Sequence, residues 1–284
     1  MTILEALRQG QAFLAQKRAE TPFLDAVLLL GVAAEMSKER IFAAFGDSLE
    51  PLQYVRFQAL LMDRASGIPV AYLRGRKEFQ SLDFQVHAGV FIPRPATETL
   101  VAAALDQARA MAARRAARRL AVHDACTGSG CVAIAVKHEM PAVEVSCSDI
   151  SEEALETCRC NALRLLGEVL PCRRSDMLAA VDGPFDLITA NPPYLTDAVV
   201  DSMKGRGWPE PDIALRGGRD GLDLCDRLIE QARVKLLRSG ILLMEADPRQ
   251  MPSLESAMKR AGYVSIRILE DMRGHRRVIH GSVG

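Results

Sequence analysis

The residues with the clearest chemical potential are Asn191-Pro192-Pro193-Tyr194, which follow an apolar run of strand length at 185–190. Neither proline has an N–H and both fix φ, so no helix or central strand can continue through them. We therefore expect a stiff bracket beyond the carboxyl end of a buried strand, where open α/β sheets bind ligands. The Asn191 side-chain oxygen and the Pro192 carbonyl can accept both hydrogens of a planar NH₂ group, and Tyr194 can stack over it. Such bonds would stabilise positive charge that develops on the nitrogen as it attacks.

A turn of small residues follows an earlier predicted strand at 120–125 and opens an apolar helix; its residues are Cys126, Thr127, Gly128, Ser129 and Gly130. Glycines in this context let the backbone approach a ligand closely. Asp149 ends the next predicted strand, the usual position of a carboxylate that binds both hydroxyls of a ribose, although such a residue can also simply cap a helix. Together they leave two cofactor candidates, a nicotinamide dinucleotide and an adenosyl sulfonium. The bracket favours the sulfonium, because it is built to hold an NH₂ group that could take a methyl.

The 284 residues suffice for about two domains, and apolar periodicity divides them into three parts. Residues 1–68 have helical spacing and predict a small all-α domain. Residues 69–95 change to strand-like spacing and predict a β-hairpin linker. Residues 96–284 alternate strands and helices, which predicts an α/β fold with a mostly parallel sheet and helices on both faces. A long loop rich in Gly and Pro is expected at 205–221.

Composition narrows the possible functions. The chain carries 36 basic and 36 acidic residues, has no apolar run of membrane-spanning length and shows no secretory leader, so a cytoplasmic protein without a membrane partner is expected. Because proteins that follow long nucleic acids usually carry a basic excess, no direct nucleic-acid substrate is expected. One local excess is either a solvated helix end or a patch for an RNA-rich partner; it consists of Arg109, Arg114, Arg115, Arg118 and Arg119.

Cysteine usage points to reduced thiols. The chain has seven cysteines, an odd number, and most lie inside apolar patterns, as in cytosolic proteins. Cys158 and Cys160 with Cys172 could suggest a metal cluster, but their spacing fits no zinc pattern well. No metal is therefore expected.

Several further segments make the chain resemble a known family. The matching segments are Thr21-Pro22, 67–75, 91–98, 124–130, Asp149, 191–194, 210–211 and 217–223. They resemble the HemK/PrmC family, glutamine N5-methyltransferases that modify class I peptide-chain release factors, over nearly the whole chain. Asn-Pro-Pro-Tyr alone is shared with other amino-methyltransferases, including those that act on adenine. The element Ile92-Pro93-Arg94-Pro95 and the helical N-terminal part narrow the resemblance to protein glutamine. Arg94 and the nearby Glu98 are either structural pins or face the active cleft.

The resemblance implies a Rossmann-like class I methyltransferase sheet, S-adenosyl-L-methionine as cofactor and a monomeric enzyme. It implies that the turn from Cys126 to Gly130 contacts the methionine part of the cofactor, that Asp149 binds the ribose, and that Met177 lies beside the adenine. Asn191 would lie between cofactor and substrate. The bracket would hold the glutamine of the Gly-Gly-Gln loop of a release factor, with catalytic roles for Asn191, Pro192 and Tyr194 and a binding role for Pro193.

Some positions depart from the family pattern and keep alternatives open. Cys126 stands where glycine is common, and Met177 replaces a frequent aromatic residue. Cys126 with Cys131 also resembles a paralogue that methylates a ribosomal protein, so that substrate is a second hypothesis. Methylation of a nucleic-acid amino group is a third, and a non-catalytic sensor of the cofactor is a fourth.

Overall fold

The computed structural model describes residues 1–114 and 119–284. They form two compact units, one of Met1–Arg76 with Lys204–Pro209 and the other of Lys77–Met203 with Glu210–Gly284. Two arginines of the basic segment, Arg115 and Arg118, lie outside the described residues. None of the helices in the described ranges is both long enough and apolar enough to span a membrane.

The first unit is helical. Its helices are α1 (Ile3–Gln16), α2 (Pro22–Ala34), α3 (Lys38–Ala43), α4 (Pro51–Ala65) and α5 (Val70–Arg74). Helix α1 begins with a capping box, in which the Glu5 N–H donates to the Thr2 hydroxyl at 3.2 Å and the Thr2 N–H donates to the Glu5 carboxylate at 2.8 Å. Helices α1 and α4 pack closely, because a Cβ on Gly10 would lie 2.6 Å from the Phe57 ring. The helical N-terminal region predicted from periodicity is thus confirmed.

The second unit is built on a central sheet. Its first elements are the hairpin β1 (Arg76–Phe79) and β2 (Leu82–Gln85), a 3₁₀ turn (Pro95–Thr97), α6 (Glu98–Arg114), β3 (Ala121–Ala125), α7 (Cys131–Glu139), β4 (Glu144–Asp149), α8 (Glu152–Leu166) and β5 (Cys172–Arg174). The rest are β6 (Phe185–Ala190), α9 (Asp197–Gly205), a 3₁₀ turn (Asp212–Ala214), α10 (Asp223–Lys235), β7 (Leu236–Glu245), a 3₁₀ turn (Pro248–Gln250), α11 (Met251–Arg260), β8 (Tyr263–Glu270) and β9 (Arg276–Val283).

The sheet has the strand order β5-β4-β3-β6-β7-β9-β8. Strands β5, β4, β3, β6 and β7 run parallel, and β9 is antiparallel to both β7 and β8. Every residue of the central strand β6 is buried, as its continuous apolar run requires. The predicted α/β class with a mostly parallel sheet is confirmed. The chain proceeds from β3 to one side and returns at β6 to the other, so the sheet has its topological switch point between these two strands.

One local prediction needs correction. The loop expected at 205–221 follows helix α9 and is interrupted by the 3₁₀ turn at Asp212–Ala214. Strand β5 begins at Cys172, and Val169, which precedes it, is 53% exposed. The apolar character of Val169 therefore does not reflect a place in the sheet.

Candidate active site

The register of three parallel strands brings the predicted motifs to one edge of the sheet. Ala125, the last residue of β3, is paired with Ala190 at the end of β6 and with Ser148 of β4. The residues that follow these three positions are Cys126, Asn191 and Asp149. The glycine turn, the bracket and the acidic strand end therefore start side by side at the switch point, where ligands bind in such sheets.

The side chain of Asp149 shapes the glycine turn. One carboxylate oxygen accepts the Gly128 N–H at 2.9 Å, and the other accepts the Ser151 N–H at 3.0 Å. The Ser151 hydroxyl in turn caps α8 by accepting the Ala154 N–H at 3.2 Å. Burial raises the pKa of Asp149, and the backbone N–H groups of Ser151 and Gly128 oppose that rise. Asp149 is thus more than a helix cap, since it holds the turn against the start of α8.

The two glycines of the turn face different surroundings. Gly130 has φ +82°, and a Cβ there would lie 2.6 Å from the Cys158 sulfur and 2.9 Å from the Ile134 side chain. Gly128 has φ +55°, and a Cβ there would meet no described atom within 4 Å. Gly130 therefore serves packing between the turn and α8, whereas Gly128 borders open space.

This contrast yields a matched pair of variants. Gly130→Ala should lower the free energy of unfolding by about 2–4 kcal/mol, because overpacking adds to the cost of a left-handed backbone. Gly128→Ala should lower the free energy of unfolding by only about 1–2 kcal/mol, because the left-handed backbone conformation is then the only source of strain. Urea denaturation of both variants measures the difference. Equal losses of unfolding free energy in the two variants would show that the Cys158 and Ile134 side chains move aside for the added methyl group.

Asp124 lies behind the turn as a buried carboxyl. It accepts hydrogen bonds from the Thr127 hydroxyl at 2.6 Å and the Thr189 hydroxyl at 2.7 Å, and so ties the turn to β6. Burial is the main cause that raises its pKa from 3.8 to about 6, although both hydroxyls lower it. Its charged form is therefore disfavoured in the folded protein.

The raised pKa predicts a pH dependence of stability. A group whose pKa is higher in the folded state stabilises the protein fully below its unfolded value, near 4, and loses that effect as pH rises through about 6. Asp124 should thus lower the free energy of unfolding by about 1–2 kcal/mol between pH 5 and pH 8. Asp124→Asn should remove this component, which urea unfolding at both pH values can measure. If the free energy of unfolding changed with pH equally in the wild-type protein and in Asp124→Asn, Asp124 would not be the source of the pH dependence.

The bracket is held from several sides. Pro192 and Pro193 are buried, and the Tyr194 carbonyl accepts a hydrogen bond from the Gln250 side chain at 2.9 Å. The Asn191 Nδ2 donates to the Thr97 hydroxyl at 3.2 Å, so Oδ1 lies on the other side of the amide. The Tyr194 hydroxyl donates to the Glu245 carboxylate at 3.3 Å, and burial raises the pKa of Tyr194. The bracket is therefore rigid in both backbone and side chains.

A cavity of about 610 Å³ joins the motifs. Ten of the eleven predicted site residues line it: Cys126, Thr127, Gly128, Ser129, Asp149, Met177, Asn191, Pro192, Pro193 and Tyr194. Gly130 instead faces Cys158 and Ile134. The Cys126 sulfhydryl lies 3.5 Å from the Met177 sulfur, so two of the positions that depart from the family pattern contact each other. The volume and the open space beside Gly128 fit a nucleoside-sized cofactor with an extended tail.

Arg94 and Glu98 make different contacts in the structure. Arg94 lines the cavity, stacks over the Phe91 ring at 4.9 Å and forms an ion pair with the buried Glu210. Glu210 also accepts the Ile92 N–H at 2.9 Å, so this pair holds the segment before α6 against the later loop. Glu98 instead accepts the Gln80 N–H of the hairpin turn at 3.4 Å. Of the two open possibilities, Arg94 faces the cleft and Glu98 is a structural pin.

The three cysteines that meet in the structure differ from the three whose spacing was considered and set aside as a metal cluster. The three that meet are Cys147, Cys158 and Cys172, with their sulfur atoms all within 4.8 Å of one another. Cys160 is exposed on the other side of α8. The register of β4 and β5 pairs Cys147 directly with Cys172, which the spacing of residues could not reveal. Interaction with the Cys158 and Cys172 thiols, together with burial, raises the pKa of Cys147.

Two residues of the site were missed by sequence reasoning. Thr97 and Glu245 are 2% and 1% exposed and contact the Asn191 and Tyr194 side chains, respectively. The available signal for Glu245 was a charged residue at the end of an apolar strand. Thr97 had no signal of its own beyond its place in the matching segment 91–98.

A parallel sheet extended by an antiparallel pair, with the glycine turn beside an Asn-Pro-Pro-Tyr bracket, defines a class I methyltransferase. Comparison with known proteins agrees: residues 5–75 match the PrmC N-terminal domain family, and residues 82–205 match the methyltransferase small domain family. The chain belongs to the release factor glutamine methyltransferase family, and the resemblance drawn from its motifs is confirmed.

The relatives are similar over their full length. The release factor glutamine methyltransferase of Deinococcus radiodurans is 32% identical, covering 98% of this chain and 98% of its own. That of Moorella thermoacetica is 34% identical, covering 98% of this chain and 97% of its own. A T. thermophilus 16S rRNA methyltransferase, solved with AdoMet and guanosine, is similar in fold alone, with TM-score 0.50, 16% identity and coverage of 74% of this chain and 50% of that one.

Proposed function

We propose that the protein transfers a methyl group from S-adenosyl-L-methionine to the side-chain nitrogen N5 of the glutamine in the Gly-Gly-Gln loop of class I peptide-chain release factors. One observation carries the proposal: the glycine turn and the bracket leave paired strand ends and line a single cavity. The full-length relatives named as release factor glutamine methyltransferases support the choice of substrate.

The cofactor would occupy the side of the cavity formed by the glycine turn. When bound, it supplies an electrophilic methyl group on a positively charged sulfur. The turn from Cys126 to Gly130 would approach its methionine part, with Gly128 leaving room for it. Asp149 would accept hydrogen bonds from both ribose hydroxyls, and Met177 would pack against the adenine.

The glutamine would be held by the bracket. Asn191 Oδ1 and the Pro192 carbonyl would accept the two N–H groups of its carboxamide, while Tyr194 and Pro193 would contact the planar group. This arrangement directs the nitrogen lone pair at the methyl carbon. Orientation of this kind can contribute about 7–11 kcal/mol towards the barrier.

The acceptors matter most during transfer. As the glutamine nitrogen took the methyl group, the carbon–sulfur electron pair would stay with sulfur and positive charge would develop on the nitrogen. Two fixed acceptors stabilise that charge more than they stabilise the neutral amide. No strong base is needed, because the proton can pass to water after the methyl has moved.

The remaining assignments follow from this substrate. Residues 1–68 would form the substrate-recognition domain, residues 69–95 the linker and residues 96–284 the methyltransferase domain. An enzyme for release factors would act in the cytoplasm. All of the proposed site residues belong to one chain, so a monomer would suffice.

Mass spectrometry after incubation with isotope-labelled cofactor tests the proposal against its main rival. Purified release factor and purified ribosomal proteins are incubated separately with the enzyme. We expect one labelled methyl on the Gly-Gly-Gln peptide of the release factor and none when that glutamine is replaced by alanine. Label on a ribosomal protein alone would favour the second hypothesis, which rests on Cys126 and Cys131. The zero net charge does not favour a nucleic-acid substrate.

A further inference from the structure

Three cysteine thiols meet in the second unit at a place that methyl transfer does not use. The Cys158 Sγ lies 3.8 Å from the Cys147 Sγ and 3.9 Å from the Cys172 Sγ, and all three sulfurs lie within 4.8 Å of one another. Of the described residues that line the cavity, none belongs to this cluster. The proposed reaction therefore leaves the cluster without a role.

The three sulfurs are held by three separate elements. Cys147 on β4 is paired with Cys172 on β5, and Cys158 reaches both from the buried face of α8. Cys158 also packs against the glycine turn, because a Cβ on Gly130 would lie 2.6 Å from its sulfur. Sites that bind ligands well are held in this way by packed, regular elements, so the cluster is preorganised.

The spacing of the sulfurs is that of ligands around one metal ion. With metal–sulfur bonds of about 2.3 Å, sulfur ligands in a trigonal or tetrahedral arrangement lie about 3.8–4.0 Å apart. The two measured separations, 3.8 and 3.9 Å, agree with this value. Cys147 and Cys172 complete the triangle at no more than 4.8 Å, so a bound ion would require only a small movement of these two side chains.

The ligand set favours a soft ion with three sulfur ligands. In the described part of the chain, no His, Asp or Glu joins the three sulfurs within 4.8 Å. The nearby imidazole of His123 already has both nitrogens in hydrogen bonds, to the hydroxyls of Ser146 at 2.8 Å and Ser148 at 2.9 Å. Structural zinc sites almost always have four protein ligands. Thiolates select Cu(I), and three of them complete its coordination.

We infer that Cys147, Cys158 and Cys172 form a binding site for one Cu(I) ion, held by three thiolates. Burial does not prevent this, because a bound cation deprotonates its thiol ligands and offsets their charge, and their protons pass to solvent. The ion can enter from the edge of the sheet, since β5 is the edge strand and Cys172 is only half-buried. No electron is transferred, and copper stays Cu(I).

A bound ion would link β4, β5 and α8. Strand β4 ends at Asp149, and Ser151, whose N–H donates to the Asp149 carboxylate at 3.0 Å, caps α8. A ligand that binds the folded state and not the unfolded state stabilises the folded state. Cu(I) should therefore raise the melting temperature of the protein by several degrees, whether or not the enzyme acts on a release factor.

The test is a titration of the reduced, full-length protein with Cu(I) under anaerobic conditions, in competition with a soluble Cu(I) chelator. The wild-type protein should bind one Cu(I) per chain. Cys172→Ser keeps the size of the side chain but removes a soft ligand, and its Cu(I) affinity should fall at least about tenfold, since even loss of an outer partner of a metal ligand costs that much. Cu(I) should then no longer raise the melting temperature.

Two matched variants control for binding elsewhere. Cys160→Ser removes an exposed thiol from the same helix. Cys126→Ser removes the thiol that lies 3.5 Å from the Met177 sulfur, a second place where two sulfur atoms meet. Both variants should bind Cu(I) as tightly as the wild-type protein. Loss of the ion from either control, or wild-type affinity in Cys172→Ser, overturns the inference.

X-ray absorption of the copper-loaded wild-type protein decides the matter even where Cys172→Ser fails to fold. We expect three sulfur neighbours at about 2.3 Å from copper. Two sulfur neighbours, or neighbours that are mainly nitrogen and oxygen, would show that copper binds elsewhere and would overturn the inference. A protein that binds Zn(II) but not Cu(I) in the same competition would overturn it as well.

Discussion

Asn191→Ala should reduce the rate of methyl transfer about 10²- to 10³-fold while leaving cofactor affinity nearly unchanged. The expected loss is that of one hydrogen-bond partner whose effect is largest in the transition state. Asn191 Oδ1 is held in place through Nδ2 and Thr97, so no reorganisation is needed when charge develops on the substrate nitrogen. Single-turnover rates with saturating cofactor and release factor measure the effect on the chemical step.

The design separates catalysis from binding and folding. Equilibrium titration of the variant with cofactor should give an affinity close to wild type, since the glycine turn and Asp149 are untouched. Thermal unfolding should show a modest change, because Asn191 is only partly buried. Unchanged turnover would show that methyl transfer does not depend on the bracket holding the substrate carboxamide through Asn191. A non-catalytic cofactor sensor would then be the better description of the protein.

The bracket was predictable because its structure is determined locally. Pro192 and Pro193 end any strand by themselves, whatever lies around them. Asp149 and the glycine turn were predictable for a related reason, since each follows a short apolar strand in a βαβ pattern. The parallel pairing of β3 with β6 then placed them together without further information.

The supporting residues depend on pairing that no local pattern reveals. Ala190 is paired with Met244 of β7, so Glu245 lies level with Asn191 although 54 residues separate them. Thr97 reaches the same place from the turn before α6. The sequence alone did not single out Glu245, because its importance arises from burial beside Tyr194 and not from its neighbours in the chain.

The cysteines illustrate the same limit. Cys158 and Cys160 are two residues apart on α8, a spacing that places them on different faces of a helix. The third thiol of the cluster comes from Cys147, which β4 pairs with Cys172 of β5. Closeness in sequence was therefore a poor guide, whereas helix and strand periods account for the observed grouping.

Asp149→Ala should weaken cofactor binding by about 1–3 kcal/mol, which is about 5- to 150-fold in affinity. Two physical effects add. The variant loses a carboxylate that would accept both ribose hydroxyls, and it also loses the acceptor of the Gly128 and Ser151 N–H groups at 2.9 and 3.0 Å. The turn is then free to move away from the geometry that the cofactor needs.

Isothermal titration of the variant with S-adenosyl-L-methionine measures this effect, and Asp182→Ala, at an exposed aspartate, serves as the control with expected wild-type affinity. Asp149→Asn separates the two contributions. Its side-chain oxygen can still accept one backbone N–H, but its NH₂ cannot accept a ribose hydroxyl proton. Its affinity for the cofactor should therefore lie between that of Asp149→Ala and that of the wild-type protein. If Asp149→Ala binds the cofactor as tightly as wild type, the ribose cannot lie on this carboxylate, and Asp149 would serve only to join the turn to α8.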